Sequence, residues 1–347
     1  MMLRLRTAAL YGAIATLGLS VACSDATSTR DDDGGLAGTD GSGATAGAGG
    51  TAGTGSAGTG GGAAGATGSG ASGGTSGAGP IIPVPTAGAS NAGAAGGGNG
   101  TPETCDGVDN DANGVIDDVD SGGDGICDCI RIATLGLAGE WGEGDVFAQW
   151  LTARASDGAH DLNDQVLTAA LLSEFQIVVV QDVSKMDRTY AAEEVAALEA
   201  WVRQGGGLMT LIGYADADEI ENVNLLLAPF GLSYGSQQIL QKNGGSTVPI
   251  SGWEAHPITE GIMAVGVDNG YPVTGGGTLF ANEGGFDVGR ALEVDLGHVE
   301  VWGDEWITYN TEWTEHPDYQ VERFWVNSIK WLSPINECQV PVPDDIR

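Results

Sequence analysis

Residues 176–183 read QIVVVQDV, with four consecutive β-branched residues at Ile177–Val180. A β-branched run with no polar alternation makes a strand with no solvent face, and such a strand needs a sheet covered on both sides. The neighbouring segments supply the cover. AAEEVAALEAWVRQGGG (191–207) is an amphipathic helix with Val195, Leu198 and Val202 as its apolar stripe, and glycines end it. LMTLIGY (208–214) is a second buried strand and IRIATLGL (130–137) an earlier one. Between the first two strands, 145–155 has helical spacing that puts Val146, Phe147, Trp150 and Leu151 on one face. This β-α-β-α-β alternation predicts an α/β fold with a parallel sheet and right-handed crossovers. RALEVDLGHVEVWGDEW (290–306) reads as a late hairpin or strand pair, and QVERFWVNSIKWL (320–332) as the closing helix. The domain spans 130–338, about 210 residues, ample for one core, and a short tail (339–347) follows it.

What precedes that domain cannot build a core. Residues 31–101 are almost all Gly, Ala, Ser and Thr, with one island, IIPVP, at 81–85. Nothing there has apolar periodicity, so the whole linker (24–101) is predicted to be a disordered tether. Collagen is excluded, because glycine does not recur at every third position with proline. A Gly-rich coil of the length of 31–101 has a root-mean-square span of about 45–50 Å, enough to hold a folded head off a membrane surface. At the start, Arg4 and Arg6 precede an apolar run from Ala8 to Ala22, too short and too rich in Gly and Ala for a membrane span. The segment 1–23 is therefore expected to be an export signal. Its end, Leu19-Ser20-Val21-Ala22-Cys23, resembles a bacterial lipoprotein signal with Cys23 as the lipidated residue. Ser20 stands where that pattern prefers Leu, Val or Ile, and ordinary cleavage near Ala22 is the alternative. The expected location is the outer membrane or cell surface, with a periplasm-facing anchor also open.

Between tether and head, residues 109–120 read DNDANGVIDDVD. Numbered as a twelve-position loop, Asp109, Asp111 and Asn113 take positions 1, 3 and 5, and Gly114 takes position 6. The Val115 carbonyl, Asp117 and Asp120 take 7, 9 and 12. This is the ligand order of a calcium loop, in which alternate oxygens converge on a hard cation and glycine permits the sharp turn. Position 12 is the shorter Asp rather than Glu, and no helix precedes the loop. A solvated acidic turn is the competing reading. Calcium is the expected cofactor.

The chain has five cysteines. With Cys23 lipidated, Cys105, Cys127, Cys129 and Cys338 remain, an even set suited to two disulfides in an oxidising compartment. Cys129 stands just before the first strand of the head and Cys338 just after its last helix. The preferred pairing is Cys129–Cys338 with Cys105–Cys127, although three pairings are open. A zinc site built on Cys127-x-Cys129 lacks the usual spacing and a partner pair.

Two resemblances follow. ETCDGVDNDANGVIDD with DGICDC (102–129) resembles the Cys/Asp-rich metal-binding repeats of bacterial secreted proteins, although Ala112 stands where the second family cysteine falls. The order strand, Asp-Val, helix ending WVRQGGG, then LMTLIGY resembles the class I glutamine amidotransferase-like fold. With HPITEGI (256–262), VEVWGDEW and FWVNSIKWL, the match over 130–333 is to its non-catalytic branch, as in gliding-motility and intraflagellar-transport-type domains. The catalytic branch places a nucleophilic Cys at the turn after the strand that LMTLIGY matches. Here that turn is Ile212-Gly213-Tyr214, and 130–337 contains no cysteine. Without a thiolate beside a base, covalent opening of glutamine is not available, so the resemblance implies no amidotransferase activity. His316-Pro317-Asp318 has the look of the family's His-Pro-Glu base, but it is read as a surface turn. No G-x-x-x-x-G-K-[ST] phosphate loop is present.

The formal net charge of −34 repels phosphate backbones, which excludes nucleic acid as a partner and favours cations. In a parallel sheet, ligands gather beyond the carboxyl ends of the strands. The loops there offer Glu140, Trp141 and Glu143, then Asp182, then Tyr214, Asp216 and Asp218, and finally Asp304, Glu305, Trp306 and Tyr309. Aromatic faces beside carboxylates suit a sugar ring. Glu140, Trp141, Tyr214, Asp304 and Trp306 are the expected ligand-binding residues. The resulting expectation is a non-enzymatic, lipid-anchored envelope protein that binds a glycan or a protein. A carboxylate-based glycan hydrolase using Glu140, Asp304 and Glu305 and a purely structural spacer are the alternatives.

Overall fold

The computed structural model describes residues 100–139, 143–181, 188–213, 217–242 and 247–346, all within the unit Gly88–Arg347. In chain order the first elements are β1 (Ile132–Leu135), α1 (Asp145–Arg154), β2 (His160–Asp161), α2 (Ala169–Leu172) and β3 (Ile177–Val180). They are followed by α3 (Ala192–Arg203), β4 (Gly207–Leu211), α4 (Ala217–Leu227), β5 (Leu232–Tyr234), β6 (Val248–Ile250) and β7 (Gly252–Trp253). The chain closes with β8 (Val265–Val267), β9 (Val273–Gly275), β10 (Thr278–Glu283), β11 (Phe286–Val294), β12 (Gly297–Trp302), α5 (Asn310–Thr314) and α6 (Val321–Leu332).

Eight strands form one sheet in the order β2-β1-β3-β4-β12-β11-β10-β7. The first five run parallel, and β11, β10 and β7 extend the sheet antiparallel. Two small pairs, β5–β9 and β6–β8, lie outside it. The parallel part has the 2-1-3-4-5 order of a flavodoxin-like sheet, as the strand–helix alternation predicts.

Residues alternate between two cores, one on each face of the sheet. Ile132, Ile177, Val179, Met209, Leu211 and Trp302 pack with Phe147 and Leu151 of α1 and with Phe324, Trp325 and Ile329 of α6. Ala133, Leu135, Val178, Val180, Leu208, Val299 and Val301 pack with Leu198 and Val202 of α3 and Val223 and Leu226 of α4. Every residue of β3 and β4 is buried, which explains why IVVV carries no polar alternation.

The glycine run after α3 is required by close packing. Gly205 has φ 118. A Cβ on Gly206 would lie 2.4 Å from the Trp201 indole, and one on Gly207 would lie 2.3 Å from the Leu332 carbonyl oxygen. Only glycine lets the chain turn from α3 into β4 beneath α6.

The 102–129 segment does not stand off the head. Ile126, Cys127, Cys129 and Ile130 belong to the same core as Trp325 and Val326. Asp124 pairs with Arg154 of α1 at 3.2 Å, and Ile116 bridges to Glu337 in the segment that follows α6. This bridge corrects the preferred cysteine pairing. The disulfides are Cys105–Cys129 and Cys127–Cys338. Cys338 donates its backbone N–H to the Ile116 carbonyl at 3.0 Å, which carries it past Cys129 to the buried Cys127. Cys129 is left to the more exposed Cys105.

Candidate functional site

Two regions carry the residues singled out in the sequence. The first is the acidic loop. Gly114 has φ 95, the turn a calcium loop asks of it. Asp109 accepts the N–H groups of Asn113 and Gly114 at 3.1 and 2.9 Å. Asp111 accepts from Asn113 N–H at 2.9 Å, and Asn113 Oδ1 accepts from Val115 N–H at 2.7 Å. Carboxylate oxygens of Asp109 and Asp111 converge within 4.8 Å of each other and of Glu103.

Glu103 lies outside the twelve-position numbering, so no spacing rule points to it. It straddles the loop, accepting from Asp111 N–H at 2.7 Å and from Asp117 N–H at 3.2 Å. Asp117 and Asp120 are not brought to this cluster. Asp117 accepts from the amides of Asp106 and Gly107, and Asp120 from those of Asp124 and Gly125. The carboxylates that a divalent cation would meet together are Glu103, Asp109 and Asp111.

The second region lies beyond the carboxyl ends of β4 and β12. Gly213, at the turn after β4, forms an antiparallel bridge with Gly270. Tyr271 N–H donates to the Gly303 carbonyl at 2.6 Å, so residues 268–271 cross over both strand ends. A Cβ on Gly213 would sit 2.5 Å from Asp304 Oδ1, and one on Gly270 would sit 2.2 Å from the Gly303 carbonyl. A side chain at either position would collide, at Gly213 with the Asp304 and Glu305 side chains and at Gly270 with the Gly303 carbonyl.

Asp304 is buried beneath that crossing, and its Oδ2 accepts from Asp268 N–H at 3.0 Å. Burial pushes its carboxyl well above the ordinary range. The amides of Asp268, Trp306 and Glu305 pull it down, and the charge of Asp268 pushes it further up. Asp304 Oδ1 and Trp306 Nε1 have no hydrogen-bond partner among the described residues. Trp306 stacks on Tyr309 with ring centroids 4.2 Å apart, and Lys242 Nζ sits 4.6 Å over the Trp306 ring. Lys242 also pairs with the buried Asp268 at 2.8 Å. Asp268 and Lys242 come from a stretch with no strong periodicity and were not legible as site residues.

Of the expected ligand residues, the structure brings Asp304 and Trp306 together. Glu140, Trp141 and Tyr214 lie outside the described residues, as do Asp182 and Asp216. Asp218 falls in the first turn of α4. His256 starts a turn, as its Pro neighbour suggests: its Nδ1 accepts from Ile258 N–H at 3.2 Å. His256 and His298 flank Trp331, with centroids 5.1 and 4.5 Å away. Burial lowers both imidazoles, against the pull of Glu293. His316 stacks on Tyr319 at 4.7 Å.

No protein-family model matches this chain, and no curated protein matches it. Among solved structures it resembles the cytoplasmic protein STM1381 from Salmonella typhimurium LT2, at 14% identity and TM-score 0.47, covering 59% of this chain and 100% of that one. It resembles the mmIFT52 N-terminal domain at 12% identity and TM-score 0.46, covering 58% and 100%. A ThuA-like protein from Bacteroides uniformis ATCC 8492 follows at 12% identity and TM-score 0.36, covering 58% and 91%. The assignment of the fold rests on this chain's own strand order and connections.

Proposed function

We propose that this chain is an exported, lipid-anchored envelope protein with a calcium-stabilised neck and a non-enzymatic, ligand-binding head. The observation that carries this reading is the cysteine pattern. The four cysteines of the neck and head pair as Cys105–Cys129 and Cys127–Cys338, an arrangement that persists in oxidising compartments. Cys23 alone is left over, at the end of the export-type segment. The tether then spaces the head from the membrane. Glycine at 213, where a side chain would strike Asp304, leaves that turn without a nucleophilic side chain, which supports a head that does no amidotransferase chemistry. The partly exposed Trp306, stacked on the buried Tyr309 and capped by Lys242, is the aromatic group through which that end of the sheet would meet a glycan or an envelope protein. Glu103, Asp109 and Asp111 would hold calcium, and the Cys105–Cys129 link would fix that loop against the head.

Two measurements test this. Expression in a bacterium with labelled palmitate should mark the wild type and leave Cys23→Ala unlabelled and released. Equal labelling of both proteins would remove the anchor. Calorimetric titration of the oxidised chain with calcium should show a site that Asp109→Ala abolishes. Flat titration of the wild type would reduce the loop to a solvated turn.

A further inference from the structure

The two disulfides differ in what surrounds them. Cys127 and Cys338 are 1% and 3% exposed and belong to the core that holds Trp325 and Val326. Cys105 is exposed, and so are its neighbours Thr104, Asp106, Gly107 and Val108. Its partner Cys129 is buried in the core. A thiolate opens a disulfide by attacking one of its sulfurs, so the reaction follows access. Cys105 lies on a stretch that solvent reaches, with Cys129 as the leaving group. Neither member of the other pair is open to solvent.

The exposed bond also holds something. No side chain of residues 103–118 belongs to either core. Among the described residues, the hydrogen bonds of 103–115 all end within 103–118. Glu103 accepts from Asp111 and Asp117, Asp117 accepts from Asp106 and Gly107, and Asn113 donates to Asp118 at 2.9 Å. The acidic loop is bonded to the head at two places. One is the stem at Ile116, which donates to the Asn336 carbonyl at 2.9 Å and accepts from Cys338 N–H at 3.0 Å. The other is Cys105–Cys129, which closes 24 residues of chain and lands just before β1. With that bond open, the loop keeps only the stem.

We propose that Cys105–Cys129 is a redox-released clamp: a dithiol reductant opens it in the folded protein and frees the acidic loop, while Cys127–Cys338 and the head stay intact. One thiolate of the dithiol bonds to Cys105 Sγ and breaks the Cys105–Cys129 bond. The electron pair leaves on Cys129 Sγ, which takes up a proton. The second thiolate of the reductant then displaces Cys105. The reductant becomes a cyclic disulfide, and the protein gains two thiols. The clamp is a property of the bond and the loop, and it does not rest on the loop holding calcium.

The test is native-state reduction of the oxidised full chain with dithiothreitol, in EDTA, at about pH 8, where thiols are partly ionised. Salt of about 150 mM screens Glu103 and Asp106, which repel an anionic thiolate. Samples are quenched with iodoacetamide and mapped by mass spectrometry, so that Cys23 is scored on its own peptide. Cys105 and Cys129 should be alkylated about tenfold or more faster than Cys127 and Cys338, and the difference should vanish in denaturant. In the singly reduced protein, amides of 106–115 should exchange with deuterium about tenfold or more faster than in the oxidised one, with β3 and β4 unchanged. The variant Cys105→Ser/Cys129→Ser should reproduce that exchange pattern without any reductant. Equal alkylation of both pairs, earlier alkylation of Cys338, or unchanged exchange in 106–115 would each overturn the proposal.

Discussion

Glu300 stands in the middle of β12 with no exposed surface. Ser328 of α6 donates to its Oε1 at 2.9 Å, and Oε2 has no partner among the described residues. Burial pushes its carboxyl up to about 8, with the Ser328 hydroxyl pulling the other way. A raised folded-state value means that the folded protein holds the proton more tightly than the unfolded chain. The associated stability is fully present below the ordinary value near 4.5 and is lost as pH rises through about 8. Glu300→Gln keeps an acceptor for Ser328 and removes the charge. The variant should therefore match the wild type in thermal melts at pH 5 and exceed it at pH 8 by on the order of a few kcal/mol. A variant that melts lower at pH 8 would contradict this. Glu194 runs the other way. Burial would raise it, but the amides of Ala191 and Leu167 and the Arg188 guanidinium outweigh burial and hold it below its ordinary value. Its contribution is present above that ordinary value and is lost as pH falls through the lower one. Glu194→Gln, which loses the charge-assisted bond to Arg188, should cost about 1–3 kcal/mol at pH 7 and progressively less in acid.

At the scale of elements, the sequence was most readable where one physical requirement dominated. IVVV, LMTL and VEVW are buried on both faces, so their composition alone marks them as strands, and they fall at β3, β4 and β12. The stripe Val195, Leu198 and Val202 located α3, and VERFWVNSIKWL located α6. The stretch from 232 to 275 was not readable. Its strands β5, β6, β7, β8 and β9 have two or three residues each, too few to show a period. The disulfide pairing was hidden for another reason, since it depends on the tail lying beside Ile116 rather than on any local spacing. The carboxylate cluster was half legible: Asp109 and Asp111 follow the loop numbering, whereas Glu103 enters from outside it. Two substitutions test the elements. Leu198→Ala opens a hole between α3 and the fully buried β3–β4 surface and should cost about 2–5 kcal/mol by denaturant unfolding. Cys338→Ser frees the tail from Cys127, whose sulfur lies in the core, and should cost about 2–5 kcal/mol. A loss under 1 kcal/mol, on the order of a neutral surface change, would mean that the Ile116–Glu337 bridge holds the tail without the disulfide.

At the scale of the molecule, charge is the dominant unbalanced quantity. The chain carries 47 acidic and 13 basic residues, and almost all of the excess falls after residue 100. Compaction brings these carboxylates together, and self-repulsion opposes the folded state. Screening relieves it, because the Debye length falls from about 30 Å at 0.01 M to about 3 Å at 1 M salt. The melting temperature of the oxidised chain should therefore rise with sodium chloride and approach a plateau once screening falls below the spacing of neighbouring charges. Bound calcium would add a second effect that screening cannot mimic. If Glu103, Asp109 and Asp111 hold the ion only in the folded state, millimolar calcium should raise the melting temperature beyond sodium chloride of equal ionic strength. The excess should grow with the logarithm of calcium concentration, as linkage requires, and Asp109→Ala should remove the excess while keeping the salt response. Coincident calcium and sodium curves at matched ionic strength would assign the whole effect to screening, with the acidic loop acting only as part of the general negative field.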